Sequence, residues 1–388
     1  MSGIQFADGR DADPIGDATA SDATNGDGSD AGSGNAAAVA GPSVTGRAID
    51  GAGDVDLAVD AAAGDGRRAR VVVTGGAGFV GSHLIDRLLS AGHAVVSLDN
   101  YGSGRPSNLA HLSEVGAFRS IEHDVREPFP DVGAVDRVFH LASRASPVDF
   151  REHALAIAET NSIGTRNAAA FALEHDARLV LASTSEVYGD PDVNPQPETY
   201  NGNVDPRGPR APYDEGKRFA EALASAYVRE RGLDCRTVRI FNTYGPRMRA
   251  DDGRVVPTFL EQALDDEDLT VHGDGSQTRS FCYVTDLVEG LYRVGDGSPS
   301  RLRGEVVNLG STREITIRTL AETVLDVVET DAELTFEPRP VDDPDLRRPE
   351  IGRARDLLGW EPEVSLETGL ERTADFLRRS RSVDGPPA

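Results

Sequence analysis

The 388-residue sequence is poor in several residue types: one lysine, two cysteines, two methionines, one tryptophan and 6% aromatics. Two thiols, Cys235 and Cys282, are too few for a disulfide framework, so both read as buried free thiols in a reducing compartment. No stretch approaches the ~18 consecutive apolar residues that a bilayer span needs, and no cationic segment followed by an apolar run opens the chain. A soluble cytoplasmic protein with no membrane partner is expected. Positive charge is also scarce, with 40 basic residues against 65 acidic and a formal net charge of −25. That balance excludes a partner held through nucleic acid phosphates. No metal site is expected.

Acidity is spread along the chain. Residues 1–68 hold 16 Ala, 13 Gly, 12 Asp and 4 Arg, with Phe6 their sole aromatic, so this segment carries −8 and residues 69–388 carry −17. A segment of that composition buries too little apolar area to offset its ordering entropy. It reads as a disordered tail with at most a weak helical turn around 54–63. From Ala69 the pattern changes to short apolar runs alternating with amphipathic segments. Residues 70–74 (RVVVT), 94–98 (AVVSL), 137–141 (RVFHL) and 178–182 (RLVLA) read as buried strands, and 79–91, 153–175 and 214–231 as helices. Strands alternating with helices predict an α/β fold, a doubly wound parallel sheet covered on both faces. Beyond Asn242 the elements shorten, which predicts a smaller α/β lobe over 242–388, interleaved with the sheet of residues 69–241.

Between the first strand and first helix lies TGGAGFVG, Thr74 to Gly81, with glycines spaced G-x-x-G-x-x-G. Glycine there allows a tight turn, close approach of amides to a pyrophosphate, and packing of helix on strand. Gly75, Gly78, Phe79, Val80 and Gly81 are therefore candidate cofactor contacts in a Rossmann-type domain. The second strand ends at Asp99, 24 positions after Gly75. Its carboxylate suits adenosine ribose hydroxyls and repels a 2′-phosphate, favouring NAD over NADP. The other reading of Asp99 is a turn cap, and Asp124 divides equally between an adenine contact and a turn.

Tyr213 and Lys217 in YDEGK lie four residues apart, on one helical face. A phenol of pKa ~10 needs roughly 4 kcal/mol of phenolate stabilisation to act as a base near neutrality. An ammonium and an oxidised nicotinamide, both positive, supply it. Arginine fills 39 of the 40 basic positions, and the single lysine sits at this motif, where a compact point charge serves better than a planar fork. The fourth strand leads into STSEVYG, Ser183 to Gly189, where Thr184 can bond a reacting hydroxyl and Glu186 can handle a proton or order a water. Strand-end capping is the alternative role for both.

Together these elements resemble the extended short-chain dehydrogenase/reductases across residues 69–388, and among them the UDP-glucuronate decarboxylases. The resemblance rests on TGGAGFVGSHL, HLAS (140–143), STSEVYGDP (183–191), GPRAPYDEGKR (208–218), RIFNTYGPRM (239–248), DGRVVP (252–257), GSQTRSFCYV (275–284) and DDPDLRRPEI (342–351). It implies that Tyr213 takes the 4-hydroxyl proton of UDP-glucuronate as hydride passes to NAD. The resulting 4-keto sugar loses carbon dioxide, and hydride return yields UDP-xylose with the cofactor still bound. It further implies that Lys217 orients the nicotinamide ribose and Thr184 holds the reacting hydroxyl. Asn100, Leu141 and Ala142 join the cofactor site. Glu186, Ser185, Arg254, Val255, His272, Gln277 and Arg279 face the sugar nucleotide, Asn242 and Arg347 hold its diphosphate, and a homodimer forms through the two long helices.

Ser185 separates this chain from related sugar 4,6-dehydratases, which place at that position an aspartic acid that expels a hydroxyl; serine is a poor acid for the task. A nucleotide-sugar 4-epimerase or dehydratase on the same scaffold is the alternative, and a non-catalytic NAD-binding regulator is the alternative from another class. Arg144 and His272 depart from the pattern, standing where the decarboxylases usually have proline and tyrosine. The excess acid reads as adaptation to a high-salt cytoplasm.

Overall fold

The computed structural model describes residues 68–338 and 346–384. The tail expected over 1–68 lies outside the described residues except for Arg68, as do Asp342, Asp343, Pro344 and Asp345 of the DDPDLRRPEI motif. Six strands come first in the chain: β1 (Arg70–Thr74), β2 (Ala94–Asp99), β3 (Phe118–Glu122), β4 (Arg137–His140), β5 (Arg178–Thr184) and β6 (Cys235–Ile240). With the later strand Val306–Leu309 they form one parallel sheet in the order Val306–Leu309, β6, β5, β4, β1, β2, β3. From β1 the chain runs outward to β3, then crosses back to β4 and runs outward the other way. The order therefore reverses between β1 and β4.

Alternation along the strands sorts the core onto two faces. Val71, Val73, Val95 and Phe139 pack under the helices Phe79–Ser90 and Val284–Asp296, whereas Val72, Val96, Val138 and Leu179 pack under Thr165–Glu174 and Ala211–Arg231. Both faces are covered, which is why these strands read as continuous apolar runs. Cys235 and Cys282 are buried free thiols.

The helix expected over 153–175 is broken. Pro147–Glu152 and Ala154–Glu159 meet at His153, and a π turn at Thr160–Gly164 precedes Thr165–Glu174. Hydroxyls cause part of this: Ser162 donates to the Ala158 carbonyl at 2.7 Å and Thr165 to the Asn161 carbonyl at 2.8 Å, competing with the backbone ladder. After Asn242 the chain builds short strand pairs, Thr243–Tyr244 with Cys282–Tyr283, Thr278–Ser280 with Glu314–Thr316, and Leu269–His272 with Leu334–Glu337. Among them the segment 284–309 returns to the main sheet with a helix and an edge strand. Among the described residues no helix is long and apolar enough to cross a membrane.

Helix Val284–Asp296 sits close to the sheet at Gly295, where a Cβ would lie 2.2 Å from Phe139 Cζ. Phe139 is fully buried and cannot swing away. Gly295→Ala is expected to cost about 1–3 kcal/mol in urea denaturation, and unchanged stability would show that this contact yields.

Candidate active site

The carboxyl ends of the central strands open onto one cavity of about 980 Å³ at the β1/β4 reversal, where open α/β sheets bind ligands. Its floor is the glycine turn. Gly75 has φ +70°, and a Cβ there would lie 2.9 Å from the Ala142 Cα and amide nitrogen, while one on Gly81 would lie 2.1 Å from the Gly75 carbonyl oxygen. Helix Phe79–Ser90 starts above this turn with Gly78 as N-cap and no side chain capping it, so its first amides are left for a ligand. A tight glycine cradle under open helix amides fits a dinucleotide diphosphate.

Asp99 is a turn cap that also faces the cavity. It lines the cavity, and its carboxylate accepts from the amides of Ala77 (2.9 Å) and Tyr101 (2.8 Å), fastening the glycine turn to the end of β2. Burial raises its pKa against these two bonds. Each carboxylate oxygen retains a lone pair, so a ribose hydroxyl can still be received. Asn100, Leu141 and Ala142 also line the cavity. Asp124 does not: Arg126 grips its carboxylate at 2.8 Å and Asn100 donates to it at 3.1 Å, holding its pKa well below the usual carboxylate range.

The helix Ala211–Arg231 lays Tyr213, Lys217, Ala220 and Ala224 in a buried stripe against the sheet. Lys217 donates to the Ala182 carbonyl of β5 at 2.8 Å, and its Nζ lies 6.0 Å from the centre of the Tyr213 ring. Burial brings the Lys217 pKa down to about 8, with Glu221 opposing. The Tyr213 phenol hydrogen-bonds Thr184, and burial pushes it up to about 12. This differs from the sequence expectation of a lowered phenol, because Lys217 bonds the strand carbonyl and burial dominates in the protein alone. Within the protein, the Thr184 bond and the Arg254 charge oppose that burial.

At the substrate end, Glu186 is ringed by arginines. Arg210 pairs with it, Arg347 Nη2 lies 3.3 Å from it, and Arg279 adds its field. Burial opposes ionisation, yet Arg347, Arg210 and Arg279 together hold the Glu186 carboxyl below its ordinary pKa, so it is an anionic acceptor. Arg347, 3% exposed, also donates to the carbonyls of Ser185 (2.7 Å) and Gly189 (3.1 Å). Ser185, Asn242, Arg254, Val255, His272 and Gln277 line the same cavity; Gln277 donates to the His272 carbonyl at 2.9 Å.

The profile of the NAD dependent epimerase/dehydratase family matches residues 71–310. The chain belongs to this family. UDP-glucuronic acid decarboxylase 1 of Arabidopsis thaliana is 49% identical over 319 residues, 82% of this chain and 72% of that one. The protein of the same name from Danio rerio is 49% identical over 312 residues, 80% of this chain and 73% of that one. A solved structure of UDP-glucuronic acid 4-epimerase from Bacillus cereus, in complex with UDP-glucuronic acid and NAD, is similar with a TM-score of 0.73 at 26% identity, covering 80% of this chain and 100% of that one.

Sequence reasoning missed two groups that line this cavity, Arg210 and Phe150, and two buried titratable groups behind it, His140 and Asp214. Arg210 partners Glu186 from one turn before Tyr213; its spacing of four from Asp214 was the available signal. Phe150 stacks on Tyr213 with ring centres 4.7 Å apart, placed by the Ser146 N-cap of helix Pro147–Glu152. His140 is buried against the Thr74 hydroxyl at 2.9 Å, and burial drives its pKa down to about 3, with Lys217 adding to the effect, so it is neutral. Asp214 is buried with one oxygen unpartnered, and burial, then Glu186, push it up to about 7 against Arg210 and Arg347.

A carboxyl with a raised folded pKa gives stability that is complete below its unfolded value of 3.8 and is lost as pH rises through about 7. Asp214→Asn is expected to flatten the fall of unfolding free energy over that window by up to ~1.4 kcal/mol per pH unit. Superimposable pH–stability curves for the two proteins would contradict the assignment.

Proposed function

We propose that this protein is an NAD-dependent UDP-glucuronate decarboxylase that makes UDP-xylose. The observation that carries the reading is the one cavity shared by a dinucleotide cradle, a Thr184–Tyr213–Lys217 centre and an arginine-ringed carboxylate, in a chain about half identical to UDP-glucuronic acid decarboxylases over most of its length.

Gly75, Gly78, Phe79, Val80, Gly81 and Asp99 hold NAD at its diphosphate and adenosine ribose, and Lys217 holds the nicotinamide ribose. When bound, NAD supplies the reversible two-electron oxidation of the sugar C4. Thr184 receives the 4-hydroxyl, and Tyr213 takes its proton and later returns one. A ketone at C4 puts the C6 carboxylate beta to a carbonyl. The C5–C6 bond then breaks, its electrons pass into an enolate, carbon dioxide leaves and C5 is reprotonated. Anionic Glu186, fixed by Arg210 and Arg347, positions the sugar or a water as an acceptor and is a poor proton donor. Arg279 meets the substrate, while Asn242 and Arg347 meet the diphosphate. Ser185, locked by Arg347, offers no acid for expelling a hydroxyl.

A homodimer is supported by an apolar stripe. Leu155 is 82% exposed and Phe219 51% exposed, and Leu155 shares a shallow groove with Ala211 and Pro212 at the start of the helix that carries Phe219. A second copy would bury this face. The net charge of −25 supports a cytoplasm of high salt, where self-repulsion is screened.

Incubation with UDP-glucuronate should release carbon dioxide and yield UDP-xylose by mass. Unchanged mass, or loss of water, from folded protein would replace decarboxylation with epimerisation or dehydration. Tyr213→Phe should retain NAD and lose turnover by about 10²-fold or more; full activity would remove Tyr213 from the chemistry. Phe219→Glu should halve the mass seen in light scattering, and an unaltered mass would move the interface elsewhere. Melting temperature should rise with potassium chloride, and a flat response would count against salt adaptation.

A further inference from the structure

Arg144 follows β4, yet its side chain reaches the loop after β2. A Cβ on Gly102 would lie 2.9 Å from Arg144 Nη2, while Arg144 Nη1 donates to Asp149 at 2.7 Å. Since β1 lies between β4 and β2, Arg144 links the loops on either side of the strand that leads into the glycine turn. The link is anchored by a run of ion pairs. Buried Asp149 accepts from Ser146 at 2.8 Å and lies 3.7 Å from Arg249 Nη1; Arg249 bonds Asp251 at 3.0 Å; Asp251 meets Arg105, back in the loop after β2, at 3.4 Å. Three loops, residues 100–105, 141–146 and 249–251, are tied into one strap, and Arg105, Arg144, Asp149 and Arg249 all line the cavity.

A dinucleotide extended from Asp99 to Lys217 with its diphosphate at the glycine turn would lie in the cavity that this strap lines. Arginine suits a diphosphate, offering several N–H donors and a permanent charge. A reaction that oxidises and then reduces the same sugar returns its cofactor unchanged, so each release of reduced cofactor in mid-cycle would strand an oxidised intermediate. We propose that Arg144 is a cofactor-retention residue: carried by the Asp149–Arg249–Asp251–Arg105 strap, it closes the dinucleotide groove over the diphosphate and slows escape of NAD and NADH. The purpose rests on the internal recycling proposed above; the contact itself needs only a bound dinucleotide.

The test uses full-length protein loaded with NADH and mixed with excess NAD, following the fluorescence of released NADH at low and high salt without UDP-glucuronate. Arg144→Met should release NADH about tenfold faster or more, with Arg144→Lys between, and release from the parent should accelerate with salt more than release from Arg144→Met. Release rates within about twofold of the parent, or faster release with an unchanged salt response, would overturn the proposal. If Arg144→Met does not fold, Asp251→Asn at the exposed end of the strap takes its place: faster release supports the strap and unchanged release overturns it. A protein that binds NADH but fails to decarboxylate still gives this reading, so the two proposals fail separately.

Discussion

Ionised groups buried at the carboxyl ends of the strands are the constraint on which this structure depends. A buried charge has to be paired or it destabilises the fold by several kcal/mol, and here the partners come from far apart in sequence. Glu186 after β5 is satisfied by Arg210 from the start of the Tyr213 helix and Arg347 from beyond the later strands. Lys217 is satisfied by a β5 carbonyl. These pairs join the sheet, the helix and the residues past Asn242 around one cavity, so the charged groups that line it also fix the segments that present them.

Much of this was legible in the sequence for a physical reason. Strands buried on both faces must be continuously apolar, so β1, β2, β4 and β5 stand out, and the glycine turn is legible because only glycine tolerates both φ +70° and the backbone crowding at Gly75 and Gly81. Except for Asp124, the residues read as candidates lie along one cavity. What escaped is tertiary. Whether Asp124 meets a ligand or Arg126 depends on a side chain two residues on folding back. The π turn within the helix over 153–175 is accompanied by hydroxyls bonding carbonyls inside the helix, which apolar periodicity does not register.

The electrostatics divide labour between neighbours. Glu186 and Asp214 face overlapping sets of arginines, yet the first is held ionised and the second is pushed toward neutrality: burial raises Asp214 most, the Glu186 charge adds to it, and Glu186 has the closer arginine contacts. Tyr213, raised by burial, is a protonated phenol in the protein alone. On the proposed function, a positive nicotinamide ring beside Tyr213 would favour its phenolate, coupling base strength to the oxidation state of the cofactor.

The lone lysine carries a consequence beyond catalysis. Arginine does not react with amine-selective reagents under conditions that modify lysine, so the protein's only side-chain amine lies inside the active-site cavity, with its pKa brought down to about 8. Lys217 is thus the one side chain that amine reagents can modify besides the chain's α-amine, and its acylation or reductive alkylation reports on access to this part of the cavity.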